Sequence, residues 1–286
     1  MRKVKFLIPV LCLAILCGCS ANQNTDEEIS DNITSSNQTE STTENVSNTA
    51  PSAQAVAGLN DLSTQKVIWG PGNISDHKQP NDPVLLQNKY SSFNAKWLLD
   101  DEKTVCLTFD EGYENGYTPQ ILDTLKEKDV KAIFFVTYDF AKDNPDLIKR
   151  MIDEGHTVGN HSYRHYTMDE VSEETAKEEV NYLHNYIEDE FGYTMSYFRF
   201  PKGEFSEQSL GIVNNLGYKS VFWSYAYADW DVDKQPEESK AFTNICESTH
   251  PGEIILLHAV SQTNANILGK VIDDIRQQGY TFVTDI

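Results

Sequence analysis

The chain has 286 residues, 39% hydrophobic and 23% charged, with 14 Tyr, 13 Phe and 4 Trp; this is mass enough for a core and excludes a wholly disordered chain. Its 44 acidic residues against 23 basic ones give a net charge of -21, which repels phosphate backbones and speaks against nucleic acid as a partner. A mean hydropathy of -0.49 excludes a polytopic membrane protein.

The chain opens on Arg2, Lys3 and Lys5, followed by an apolar run over 6–16 that is short for a permanent span. The run ends in Leu16-Cys17-Gly18-Cys19-Ser20, which has the form of a bacterial lipobox. Residues 1–18 are therefore read as a lipoprotein signal peptide and Cys19 as the lipidated mature N-terminus. An ordinary secretory signal is the alternative, and either one places the body outside the cytoplasm. Residues 19–57 are polar and acidic with no Lys or Arg, too poor in apolar surface to offset chain entropy, and are expected to be a disordered tether. Residues 58–103 are irregular, with a Trp69-Gly70-Pro71-Gly72 run, and read as an N-terminal extension packed on the body.

From residue 104 strand and helix patterns alternate. Strands are predicted over 104–109, 130–136, 197–200, 220–223, 253–258 and 280–283. Helices are predicted over 119–128, 144–154, 168–190, 206–216 and 264–278. Thr118 is placed to cap the first helix and Pro119 to start it, and Gly155 and Gly217 stop two others. Repeated βα units argue for an α/β fold with a parallel sheet or barrel. Cys106 and Cys246 are the cysteines left for the body; two buried thiols are expected, with a bridge between them as the alternative.

Five polar groupings fall near predicted strand ends, where barrel enzymes place chemistry. Asp110 and Glu111 stand side by side, a pattern that also fits a solvated loop start. His161 and His165 are four apart, a spacing that puts both rings on one side of a helical turn, able to share a metal with an acid from another strand. Arg199 precedes Pro201-Lys202-Gly203, so it can clamp a carboxylate while the turn exposes a backbone N–H to an oxyanion; a surface Arg before an ordinary turn is the plainer reading. Asp229-Trp230 follows an aromatic stretch and forms either a partly dry acid or simple core. His258 closes an apolar strand, as a general acid or as a satisfied core histidine.

In order and spacing, TFDEG (108–112), HSYRH (161–165), RFPKG (199–203), AYADW (226–230) and LLH (256–258) resemble the polysaccharide deacetylase family, also called carbohydrate esterase family 4 or the NodB homology domain. The resemblance covers about 104–286 and implies a distorted (β/α) barrel as catalytic domain. Longer strings such as EGHTVGNHSYRH and VFWSYAYADWDVD look like the delta-lactam-biosynthetic deacetylases of spore-forming bacteria, which act on N-acetylmuramic acid freed of its stem peptide. Ala226 and Ala259 depart from the wider family and match this subfamily; Glu111 stands where the family has Asp.

Carried over residue by residue, the resemblance makes Asp110 the general base and His258 the general acid. It makes Arg199 the partner of the base and Asp229 the residue that orients and charges His258, under Trp230. His161, His165 and Glu111 become the ligands of a divalent metal, zinc first, with cobalt or manganese as alternatives. The Lys202 N–H, beside Pro201, becomes the oxyanion donor. The partners implied are peptidoglycan glycan strands, with the membrane reached through the lipid anchor alone, for a monomer. A GlcNAc or chitin-type deacetylase, an inactive glycan-binding module and an envelope scaffold remain as rival readings.

Overall fold

The computed structural model describes residues 56, 58–72, 74 and 76–286; the signal, Cys19 and nearly all of the tether lie outside the described residues. In chain order the elements are β1 (Val67–Ile68), α1 (Asn81–Lys89), β2 (Ala95–Lys96), β3 (Thr104–Glu111), α2 (Thr118–Glu127), β4 (Ile133–Val136), α3 (Tyr138–Asp143), α4 (Pro145–Asp153) and β5 (Thr157–Asn160). There follow α5 (Glu173–Phe191), β6 (Tyr197–Phe198), β7 (Glu204–Phe205), α6 (Glu207–Asn215), β8 (Lys219–Val221), β9 (Tyr225–Ala226), α7 (Glu238–Ser248), β10 (Glu253–His258), α8 (Gln262–Gln277) and β11 (Thr281–Phe282).

The main sheet runs β2-β8-β6-β5-β4-β3-β10-β9, with β11 beside the start of β3, and its pairs are parallel. All eight residues of β3 are buried, as a parallel strand covered on both faces requires. β8 pairs on the β6 side of the path and β9 on the β10 side, yet the two lie on one short stretch of chain. Residues 222–224 thus lead from β8, next to one end of the sheet, to β9 at the other, so the parallel sheet curls into a distorted, incompletely closed α/β barrel.

The helices form where apolar spacing and caps coincide. α8 starts at Ser261, whose side chain accepts from Asn264 N, and buries Ile267, Leu268, Val271, Ile272 and Ile275. α5 begins later than the expected 168: Ser172 accepts from Thr175 N and sets the start, and Gly192 in left-handed geometry ends the helix. Thr118 is the first residue of α2, and no side chain caps that helix. α1, α3, α7 and β5 were not expected from the apolar pattern. Cys106 and Cys246 are buried and unbridged.

The segment 58–103 shares the core. β1 pairs antiparallel with β7, Trp69 Nε1 donates to Trp223 O at 3.0 Å, and β2 is a strand of the main sheet beside β8. Among the described residues no helix is long and apolar enough to cross a membrane.

Candidate active site

Parallel pairing sets Asp110, near the end of β3, beside His258, the last residue of β10. Side chains alternate along β3, so Thr108 and Asp110 share a face and Glu111 takes the other. On the first face lies Arg199, just after β6, with its guanidinium fully buried. It donates to Asp110 Oδ1 at 2.9 Å, to Thr108 Oγ1 at 2.7 Å, and to the carbonyls of Val221 and Phe222 at 3.0 and 3.2 Å. The guanidinium also lies 4.1 Å from the centre of the Phe135 ring. That ring needs Gly159, because a Cβ there would stand 2.5 Å from Phe135 Cδ1. Burial alone would raise the Asp110 pKa, but the charges of Arg199, His161 and His258 outweigh it and hold the carboxyl below its ordinary value.

His161 follows β5, and its Nδ1 donates to the Arg199 carbonyl at 2.9 Å, which leaves Nε2 as a lone-pair donor. His161 Nε2 lies 3.2 Å from His165 Nε2 and 3.5 Å from Asp110 Oδ2. The two rings meet, though not on the helical turn that the spacing suggested. Ser162 and His165 take left-handed φ values of 73° and 58° in a loop. Asn160 Oδ1 accepts from Ser162 N at 2.8 Å, and Ser162 Oγ accepts from His165 N at 3.0 Å, which holds the loop. Burial pushes both imidazoles down, His165 to about 4.

The histidine pair suits a metal. Two nitrogens on one tetrahedral zinc, each about 2.0–2.1 Å away, lie roughly 3.3 Å apart. Glu111 does not join them. Its buried carboxyl faces α2, where Thr118 Oγ1 donates at 3.4 Å, and burial followed by the charge of Glu114 pushes its pKa well up. The expected third ligand is therefore corrected by strand alternation, and the expected Thr118 cap is corrected because that hydroxyl turns to Glu111. Among the described residues no group of three or more His, Cys, Asp and Glu forms a metal cage.

Across the cleft, His258 Nδ1 lies 2.7 Å from Asp229 Oδ1, and His258 N donates to Asp229 Oδ2 at 2.8 Å. Burial would lower the His258 pKa, but its hydrogen bond to Asp229 and the charges of Asp229 and Asp110 outweigh it and raise the value. Asn264 Nδ2 donates to Asp229 Oδ2 at 2.6 Å, and Tyr227 OH donates to Asn264 Oδ1. Trp230 lies 5.9 Å ring to ring from His258 but is 57% exposed, so it is a rim residue more than the cover expected for Asp229.

Asp110, His161, His165, Lys202, Trp230 and His258 line one cleft of about 510 Å³, with Trp69, Pro71, Trp223 and Tyr227 among its other walls. Pro201 is buried in the turn behind Lys202. Sequence reasoning missed Thr108 and Asn264, whose roles exist only as tertiary contacts, and left the visible Trp69-Gly70-Pro71 run without a role.

The family profile described as Polysaccharide deacetylase matches residues 99–221. The chain is 41% identical over 232 residues to the peptidoglycan-N-acetylmuramic acid deacetylase PdaA of Bacillus subtilis, covering 80% of this chain and 88% of that protein. The solved structure of that Bacillus subtilis PdaA, described as a family 4 carbohydrate esterase, superposes with a TM-score of 0.74 at 40% identity, covering 77% of this chain and 95% of the other. A peptidoglycan-N-acetylglucosamine deacetylase of Bacillus cereus is 33% identical over 184 residues, 63% of this chain and 66% of its own length. With Asp110 paired to Arg199, His258 paired to Asp229 and the His161–His165 pair facing one cleft, and with this likeness across four-fifths of its length, the chain belongs to the polysaccharide deacetylase family, carbohydrate esterase family 4, a family of hydrolases.

Proposed function

We propose that the protein removes the N-acetyl group from N-acetylmuramic acid in peptidoglycan strands whose stem peptide is gone, and that the muramic acid produced closes to the delta-lactam. It works outside the cytoplasm, anchored to the membrane through a lipid on Cys19. One observation carries the reaction class: Asp110, paired with the Arg199 guanidinium, and His258, hydrogen-bonded to Asp229, open onto the same cleft. The likeness to the Bacillus subtilis protein supports the choice of sugar.

His161 and His165 would hold the divalent ion, zinc first, with cobalt or manganese as alternatives. Such an ion supplies Lewis acidity, polarising the acetamide carbonyl and acidifying water. Asp110 accepts the proton of the attacking water as a C–O bond forms at the acetyl carbon. The Lys202 N–H, in its turn at the cleft wall, stabilises the oxyanion. His258 gives its proton to the sugar nitrogen as the C–N bond breaks, leaving acetate and a free amine.

The test incubates the full chain with stemless glycan strands and with GlcNAc oligomers, with and without chelator, and follows acetyl and then water loss by mass spectrometry. Chelator-sensitive acetyl loss from the muramic residues alone is expected. Acetyl loss from GlcNAc oligomers would replace the reading with a GlcNAc deacetylase, which the Bacillus cereus relative favours. No loss with any added metal would leave a glycan-binding module.

A further inference from the structure

We infer that the Lys202 side chain recognises the free carboxylate that the lactyl group of muramic acid carries once the stem peptide is removed. The inference rests on the substrate reading above and names the group that selects the substrate.

Lys202 is the lysine or arginine among the residues lining the cleft, which Asp110, His161 and His165 also line. The guanidinium of Arg199 is directed beneath the cleft, to Asp110 and Thr108. Among the described residues the Lys202 ammonium has no hydrogen bond or ion pair, although its charge reaches Glu170 and His165. By contrast Lys66, also facing Glu170, is held by Glu170 and Glu204 at 2.5 and 3.0 Å. A free cation beside a reaction centre, in a chain of net charge -21, is a local attractor in a field that otherwise repels anions.

The backbone carries a second sign. Lys202 sits at φ 59°, a left-handed conformation that costs a side-chain-bearing residue energy and that Gly or Asn would take more readily. The turn is over-determined by its neighbours. Gly203 N donates to Phe200 O, Trp69 N donates to Gly203 O, both at 3.0 Å, and a Cβ on Gly203 would stand 2.8 Å from the Trp223 ring. This scaffold fixes where the lysine stem leaves the wall.

Substrate chemistry completes the argument. The acetamide is on C2 of the sugar and must reach Asp110 and the histidines. The lactyl ether is on C3, the adjacent ring carbon, so its terminal carboxyl projects toward the neighbouring wall, within reach of a four-carbon stem. With the stem peptide attached, that carboxyl is a neutral amide and the pairing is lost. GlcNAc carries no group there at all.

The experiment measures dissociation constants by calorimetry for the full chain, with a stemless muramic oligosaccharide and with the same oligosaccharide methylamidated at the lactyl carboxyl. The readout is the ratio of the two constants within each variant, which does not depend on the folded fraction or on catalysis. The unaltered protein is expected to favour the carboxylate by about ten- to a hundredfold, the range of a charge-assisted contact. Lys202→Met brings the ratio toward unity, Lys202→Arg keeps it, and added salt shrinks it in the unaltered protein. A ratio near unity in the unaltered protein, an undiminished ratio in Lys202→Met, or no binding of either sugar overturns the inference. Failure of the substrate reading shows separately, as acetyl loss from GlcNAc oligomers alone in the activity assay.

Discussion

His161 Nδ1 donates to the carbonyl of Arg199 while the guanidinium of the same arginine donates to Asp110, 2.9 Å in each case. One residue therefore fixes the tautomer of a candidate metal ligand and the charge of the candidate base. The backbone serves the first purpose and the side chain the second, so mutation separates them.

Arg199→Met should leave the His161 contact and strip Asp110 of its counter-charge. Removing one partner of a buried ion pair costs roughly 3–5 kcal/mol, measurable by denaturant unfolding. Burial then dominates and the Asp110 pKa rises, so the acid limb of kcat/KM moves to higher pH. In the unaltered protein the Asp110 pKa lies below its ordinary 3.8, so its stabilising effect is complete above that value and is lost as pH falls through the folded pKa. An acid limb that stays in place would show that another carboxylate is the base.

Asp229→Asn should act on the other limb. The folded pKa of His258 is raised above 6.5, so the stability it contributes is present below that pH and fades as pH rises through the folded value. Without the Asp229 charge, burial pulls the imidazole down. The basic limb of kcat should move to lower pH and the rate should fall about 10²–10⁴-fold, the range of general-acid catalysis. An unmoved basic limb would count against His258 as the proton donor.

Zinc titration by calorimetry should separate the carboxylates. His161→Ala and His165→Ala each lower affinity at least tenfold, by analogy with the loss of second-shell partners, which costs about 10–100-fold. Glu111→Gln, at a buried carboxyl that faces Thr118 and away from the histidines, leaves affinity within about threefold, inside the usual context-dependence of such contacts. The two-histidine site should also bind zinc more weakly than a site of two histidines and an aspartate. A large loss in Glu111→Gln would return Glu111 to the ligand set.

Gly159→Ala should strain the floor of the site, since its Cβ would press 2.5 Å from the Phe135 ring under Arg199. Overpacking of this kind costs about 1–3 kcal/mol and should lower both Tm and activity. An unchanged Tm would mean that Phe135 can turn aside freely.

Most of the barrel was legible because its strands are apolar runs and its helices stop at glycines, as at Gly155 and Gly217. The strand-end positions of Asp110, Arg199 and His258 followed from the same pattern. The histidine pair was legible as a pair but not as a loop, because a four-residue spacing can be met by two left-handed residues as well as by a helical turn. Glu111 entered the ligand set through the family resemblance, position by position, although a strand sends neighbours such as Asp110 and Glu111 to opposite faces. Asn264 and Thr108 stayed hidden since their partners, Asp229 and Arg199, are far away along the chain.

The hydrogen bond from Trp69 to Trp223, with the β1–β7 and β2–β8 pairings, makes the 58–98 stretch part of the working protein. A fragment begun at residue 99, where the family profile starts, would lack one side of its own substrate channel and expose β8 as a bare edge. It would be an unfinished enzyme, prone to stick to its copies through the aromatic surface that Trp69 normally roofs.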